Sequence, residues 1–120
     1  MGHGGGAGTV LGPWLTPSVN GVLTLAHAMS RPPDYMAVEY LCQRTDNAYT
    51  PGESFLFWQC ILNGSTQVAW SCKPGLVVAY MDGNHRGVLK SNPAVAFVMT
   101  NASWLHRVKA VWFPQIPAKL

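Results

Sequence analysis

The side chains of this 120-residue chain that could do chemistry are few: four histidines, three cysteines and the acidic residues Asp34, Glu39, Asp46, Glu53 and Asp82. Nucleophilic catalysis needs a Ser or Cys beside a base that a third group orients. No G-x-S-x-G elbow is present to present such a serine. His27, His85 and His106 read more simply as strand-end or loop residues. The acidic residues fall mostly in turn-like stretches, where Asp satisfies nearby backbone groups, and no acid/base pair stands out. Gly2–Ala7 fits G-x-G-x-x-A, but a dinucleotide loop must follow a strand, and only Met1 precedes it. Neither an enzyme nor a cofactor is expected.

Cys42, Cys60 and Cys72 are odd in number and contain no C-x-x-C pair, which argues against a disulfide framework and against a zinc ribbon. Each sits in a strand-like run, where an unpaired thiol behaves as a small hydrophobe. Metal binding would require these sulfurs to converge with a residue such as His27, and spacing alone does not bring them together.

These residues are carried by an unusually apolar chain: 48% hydrophobic, 11% charged, with five Trp, four Tyr and four Phe. Average soluble domains carry about a quarter charged residues, and interface cores are rich in aromatics and poor in charge. An obligate homo-oligomer is expected. The basic residues behind the net charge of +3 are scattered rather than clustered on one element, so nucleic acid is not an expected partner. No apolar run reaches the roughly 18–20 residues of a bilayer-spanning helix, and no secretory leader pattern opens the chain. Asn63-Gly64-Ser65 and Asn101-Ala102-Ser103 match a glycosylation sequon but read as turns.

The expected fold is all-β: an antiparallel β-sandwich over residues 21–114, preceded by an extended Gly-rich N-terminal arm (1–20) and followed by a short tail (115–120). Short runs of β-branched and aromatic residues broken by Gly, Pro, Asn and Asp predict strands. They fall near Val22–Ala26, Tyr35–Cys42, Ser54–Leu62, Val68–Cys72, Leu76–Met81, Arg86–Leu89, Ala94–Met99 and Arg107–Phe113. Met36, Val38, Tyr40 and Cys42 alternate against Glu39, and Val108, Ala110 and Trp112 against Arg107 and Lys109, as half-buried strands require. Thr50-Pro51-Gly52 fits a turn with Pro second and Gly third.

Two sets of residues are candidates for contact. Val10, Leu11, Trp14 and Leu15 make the arm too apolar for a linker, so it is expected to dock on a neighbouring protein. Scaffolded loops carry recognition, which nominates Tyr49 and the stretch Asp82, Gly83, Asn84, His85 and Arg86. Tyr49, Trp58, Trp70 and Trp104 are candidates for stacking on sugar rings, although aromatics within strands more often fill a core.

Three segments carry a resemblance. Leu23-Thr24-Leu25-Ala26-His27 leads through Pro33 to Tyr35–Cys42; Ala48-Tyr49-Thr50-Pro51-Gly52-Glu53 follows; Thr100-Asn101-Ala102-Ser103-Trp104 precedes Arg107–Trp112. In order and spacing these resemble a β-sandwich domain of small phage virion proteins and tail-fibre ends, akin to H-type lectins. The departures are Ala28-Met29 in place of Gly-Leu and Glu53 in place of Asp. The resemblance implies a virion protein on the tail or capsid surface, commonly a homotrimer, in contact with other virion proteins. It transfers no catalytic or binding residue. The leading expectation is a tail-fibre or receptor-binding component anchored through its arm, with a host surface glycan as a candidate ligand. A capsid decoration protein is the alternative, and a free-standing sugar-binding lectin comes from another class.

Overall fold

The computed structural model describes residues 7–57, 67–82 and 85–114. Two antiparallel sheets and one hairpin account for the strands among them. The strands, in chain order, are β1 (Gly8–Leu11), β2 (Val22–Ala26), β3 (Tyr35–Cys42), β4 (Ser54–Phe57), β5 (Gln67–Lys73), β6 (Leu76–Asp82), β7 (Arg86–Val88), β8 (Ala96–Val98) and β9 (Trp104–Trp112). One sheet runs β1-β9-β3-β4, a second β2-β6-β5, and β7-β8 forms the hairpin. The expected all-β, antiparallel sandwich is what the chain adopts, and β2 and β3 have the bounds that alternation predicts.

Period-two patterning explains the layers. Along β9 the odd positions are half-buried while Trp104, His106, Val108, Ala110 and Trp112 are buried. Opposite them in register lie Cys42, Tyr40, Val38 and Met36 of β3, and Phe57 and Phe55 of β4 pair with Val38 and Tyr40. The second sheet turns Leu23, Leu25, Val77, Ala79 and Met81 to the same core, with Val68, Trp70 and Cys72 packed against it. Both inner faces therefore contribute one continuous apolar layer.

Turn chemistry sets the connections. Gly52 takes φ +95° and Glu53 N–H donates to the Thr50 carbonyl at 3.1 Å, a type II turn with Pro51 leading. Val95 N–H donates to the Asn92 carbonyl at 2.9 Å, closing a turn around Pro93 between β7 and β8. At the far corner Asp34 Oδ2 accepts from Arg31 Nη1 at 2.9 Å and from Phe113 N–H at 2.7 Å. Trp112 Nε1 donates to the Arg31 carbonyl at 3.0 Å, so the Pro32-Pro33 corner clamps the end of β9.

The N-terminal segment departs from expectation. An arm reaching toward a neighbour is instead laid on its own chain from Gly8 onward: β1 pairs with β9 from Gly8↔Trp112 to Leu11↔Lys109. Gly12 N–H then donates to the Val108 carbonyl at 2.8 Å, and Leu15 and His106 exchange backbone bonds at 2.9 and 2.8 Å. An unpaired β9 edge is a liability, and β1 is the nearest strand able to cover it. Glycine content signals flexibility in isolation and hid this strand from propensity reasoning.

Gly87 lies against Phe97: a Cβ there would meet Cε1 at 3.0 Å and Cζ at 3.1 Å. Gly87→Val should cost about 1–3 kcal/mol by overpacking, read as a lower urea midpoint with an unchanged far-ultraviolet dichroism spectrum.

Candidate functional site

The outer face of the four-stranded sheet is the first candidate. Register places Val111 beside Tyr35, Lys109 beside Ala37, Arg107 beside Glu39 and Leu105 beside Leu41, while Leu56 of β4 lies across from Glu39 and Leu11 of β1 across from Lys109. Leu11 and Leu56 are each 46% exposed. Arg107 Nε donates to Glu39 Oε1 at 2.8 Å, and the Trp14 ring lies over the same guanidinium at 4.0 Å. This outward face is mixed: Leu11, Leu41, Leu56, Leu105 and Val111 share it with Thr9, Ser54 and Lys109 and with the stacked Glu39–Arg107 pair.

The four arm residues separate in this setting. Val10 packs on the core of its own chain, and Trp14 is held on Arg107. Leu11 at 46% and Leu15 at 47% exposure are the two left open at the sheet's edge. The apolarity that suggested an external dock is thus half spent internally.

The residues expected in recognition loops lie mostly inside. Tyr49 is half-buried: its hydroxyl donates to the Val88 carbonyl at 2.7 Å, and its ring meets Phe55, Phe97 and Trp104 at 5.9, 5.8 and 5.5 Å between centroids. It bolts the loop before β4 to the β7-β8 hairpin. Lys90 Nζ lies 5.0 Å from the same ring centroid and binds both Glu53 carboxylate oxygens at 2.7 and 2.6 Å. Lys90, with the Thr50 N–H, holds the Glu53 carboxyl down to about 2. His85 is only 1% exposed and cannot face a ligand. Arg86 is half-buried at the start of β7, and Asp82 ends β6. Asn84 and the Asp82 side chain lie outside the described residues, as do Trp58 and Cys60. Trp104 is 1% exposed and is core rather than sugar platform. Cys42 is buried and Cys72 half-buried, both as free thiols.

The second candidate is internal. The Tyr40 hydroxyl donates to His85 Nδ1 at 2.5 Å, and His85 Nε2–H donates to the Ser18 carbonyl at 2.6 Å. That pairing assigns His85 as the neutral Nε2–H tautomer, with both nitrogens satisfied. His106 stands against it, 5.1 Å between ring centroids, and its Nδ1 is buried with no hydrogen-bond partner. Burial lowers the pKa of His85. Burial, and then the neighbouring His85, pull His106 down to about 4. Burial likewise raises the Tyr40 phenol. All three stay neutral near pH 7, and no carboxylate contributes to either histidine's shift.

A third polar feature went unread in the sequence. Asp46, 9% exposed, accepts from Trp104 Nε1 and from Thr100 N–H, each at 2.9 Å, and from Asn47 Nδ2 at 3.0 Å. Asn47 and Ala48 take φ +49° and +71°, a left-handed pair that returns the chain so Tyr49 and Asp46 can exchange backbone bonds at 3.0 Å. Asp46 and Trp104 are 58 residues apart, beyond what local turn logic reaches.

Comparison with family models, curated proteins and solved structures finds no match to this chain. Among the described residues no group of three or more His, Cys, Asp or Glu could hold a metal ion, and no helix is long and apolar enough to cross a membrane.

Asp46→Ala would leave the Trp104 and Thr100 donors unpaired in the interior, a loss of about 2–4 kcal/mol, measurable by urea unfolding. His106 titrates near 6.5 when unfolded and about 4 when folded. The unfolded chain therefore takes up the proton first, and the stabilisation present above pH 6.5 is lost as pH falls toward 4. Between pH 7 and 4.5 unfolding free energy should drop by roughly 2–3 kcal/mol from this group, and His106→Leu should flatten that slope.

Proposed function

We propose that this chain is a non-enzymatic structural module of a bacteriophage virion, of the tail-fibre type, which acts by packing a sheet face against copies of itself and neighbouring virion subunits. The observation that carries the assembly part is the outer face of the β1-β9-β3-β4 sheet, where Leu11, Leu41, Leu56, Leu105 and Val111 surround the Glu39–Arg107 pair, with Lys109, Thr9 and Ser54 as the other polar residues. Burying such a face is favourable at about 25 cal/mol per Å² of apolar area, and aromatic-rich, charge-poor composition is that of an interface core. The phage setting and the trimer come from the resemblance of the Leu23–His27, Ala48–Glu53 and Thr100–Trp112 segments.

The anchoring idea changes form. With Gly8–Leu11 paired to β9, the contact surface is a docked edge, with Leu11 and Leu15 open, and not a loose arm. Receptor recognition has less to stand on, because Tyr49 and His85 are occupied inside the protein. A capsid decoration protein would use the same face, so position on the particle separates the two.

Leu11→Asp combined with Leu56→Asp should convert the oligomer to monomer in light scattering while the dichroism spectrum stays unchanged. Gold-labelled antibody should mark phage particles at the tail; label on the capsid would favour decoration. A monomeric wild-type protein absent from particles would sink the proposal.

A further inference from the structure

We propose that β2 is a self-pairing edge: Val22–Ala26 of one chain joins the same strand of a second copy, antiparallel about a two-fold axis at Thr24, and so continues the three-stranded sheet from one molecule into the next. The inference stands apart from the virion reading and from the outer-face contact, which lies on the other sheet. Its basis is the direction of the backbone groups. Just outside β2, Met81 N–H donates to the Gly21 carbonyl at 2.9 Å and His27 N–H donates to the Gly75 carbonyl at 3.0 Å. Antiparallel bonding alternates along a strand, so Leu23 and Leu25 bond toward β6 as Gly21 and His27 do. The N–H and C=O groups of Val22, Thr24 and Ala26 then point away from β6. β2 ends the β2-β6-β5 order, and no described residue bonds to those outward groups.

Such an edge is normally blunted by charge, proline or a bulge, and β2 has none of these. Its sequence is Val-Leu-Thr-Leu-Ala, it pairs with β6 residue for residue, and no Asp, Glu, Lys or Arg occurs before Arg31. The edge strands at the far ends of the two sheets differ: Lys73 ends β5, and Glu53 immediately precedes β4.

A second copy is the occupant that this chemistry selects. Identical strands about a two-fold axis bring identical side chains together, and like charges directly opposite each other destabilise a pair, so an edge joins itself without repulsion where it carries no charge. With Thr24 on the axis, Thr24 pairs with its counterpart and Val22 with the second copy's Ala26. Every outward N–H of both strands then finds a carbonyl, and Leu23 and Leu25 keep to the core face on which they are buried. A one-residue shift would set outward groups against inward ones. On the outer side Val22 and Tyr80, paired across β2 and β6 and 56% and 50% exposed, gain the second copy's Ala26 as a neighbour. A strand of 5 residues on each side falls short of the about 1,000 Å² of a stable free-standing interface. The pairing therefore operates between chains at high concentration or already gathered in an assembly.

Residue-resolved hydrogen exchange on the full chain, with sedimentation equilibrium on the same samples at about 20 µM and about 1 mM, tests this. Exchange of the Val22, Thr24 and Ala26 amides should slow by about tenfold or more in the associated protein, while the Leu23 and Leu25 amides are protected at both concentrations. Thr24→Lys sets two like charges at the axis, and Thr24→Pro removes one outward N–H without touching the β6 ladder. Both variants should keep the dichroism spectrum and abolish the slowing. Fast exchange of the three amides at the higher concentration would overturn the pairing, as would protection in a sample that sediments as monomer, where the cover comes from its own chain. Slowing that survives in folded Thr24→Lys would overturn it too. The Leu11 and Leu56 substitutions leave the β2 amides alone, so failure here and failure of the outer-face contact are read separately.

Discussion

Strand β9 is the constraint on which the rest of the molecule rests. It is the longest described strand, from Trp104 to Trp112, and it hydrogen-bonds along both edges, to β3 from Trp104 to Val111 and to β1 from Lys109 to Trp112. A strand in that position must satisfy its ladder on two sides and divide its side chains between a dry face and an outer one. Trp104 and Trp112 mark its ends, and each indole N–H is spoken for, by Asp46 and by the Arg31 carbonyl. The two loops that supply those acceptors are thereby located by the strand. A one-residue slip of β9 would put Arg107 and Lys109 inside and lose both indole contacts together.

That constraint also explains what could be read in advance. The alternation of Val108, Ala110 and Trp112 against Arg107 and Lys109, and of Val38, Tyr40 and Cys42 against Glu39, is a local pattern and survives intact in the structure. The Pro51-Gly52 turn was legible for the same reason, since its geometry is set by two adjacent residues. The first strand was not legible, because the β-forming Thr9-Val10-Leu11 run is only three residues long between Gly8 and Gly12 and its partner β9 lies at the other end of the described chain. The candidate loops were misjudged in a related way. Tyr49 and His85 sit in loop-like sequence, but long-range partners, Val88 and Tyr40, draw them inward. Nothing in the spacing of Asp46 pointed to Trp104.

The polar interior has two different characters. Asp46 collects several donors, so its carboxylate is well supplied and the loops around it are fastened. The Tyr40–His85–His106 group is supplied with a chain of single bonds and one empty nitrogen. A network of the first kind specifies a unique arrangement, and one of the second kind is sensitive to any change in proton count.

The pairing of β1 with β9 joins the first strand of the described chain to the last. As the chain leaves the ribosome, its opening segment has no edge to settle on until more than ninety residues later. The sheet can therefore only be completed after translation of β9, and β3, though made early, waits for the same partner. Such non-local closure places this domain among slowly folding β topologies. During that interval the edge of β3 that β9 will cover stays unpaired, a template for wrong strand pairing until β9 arrives.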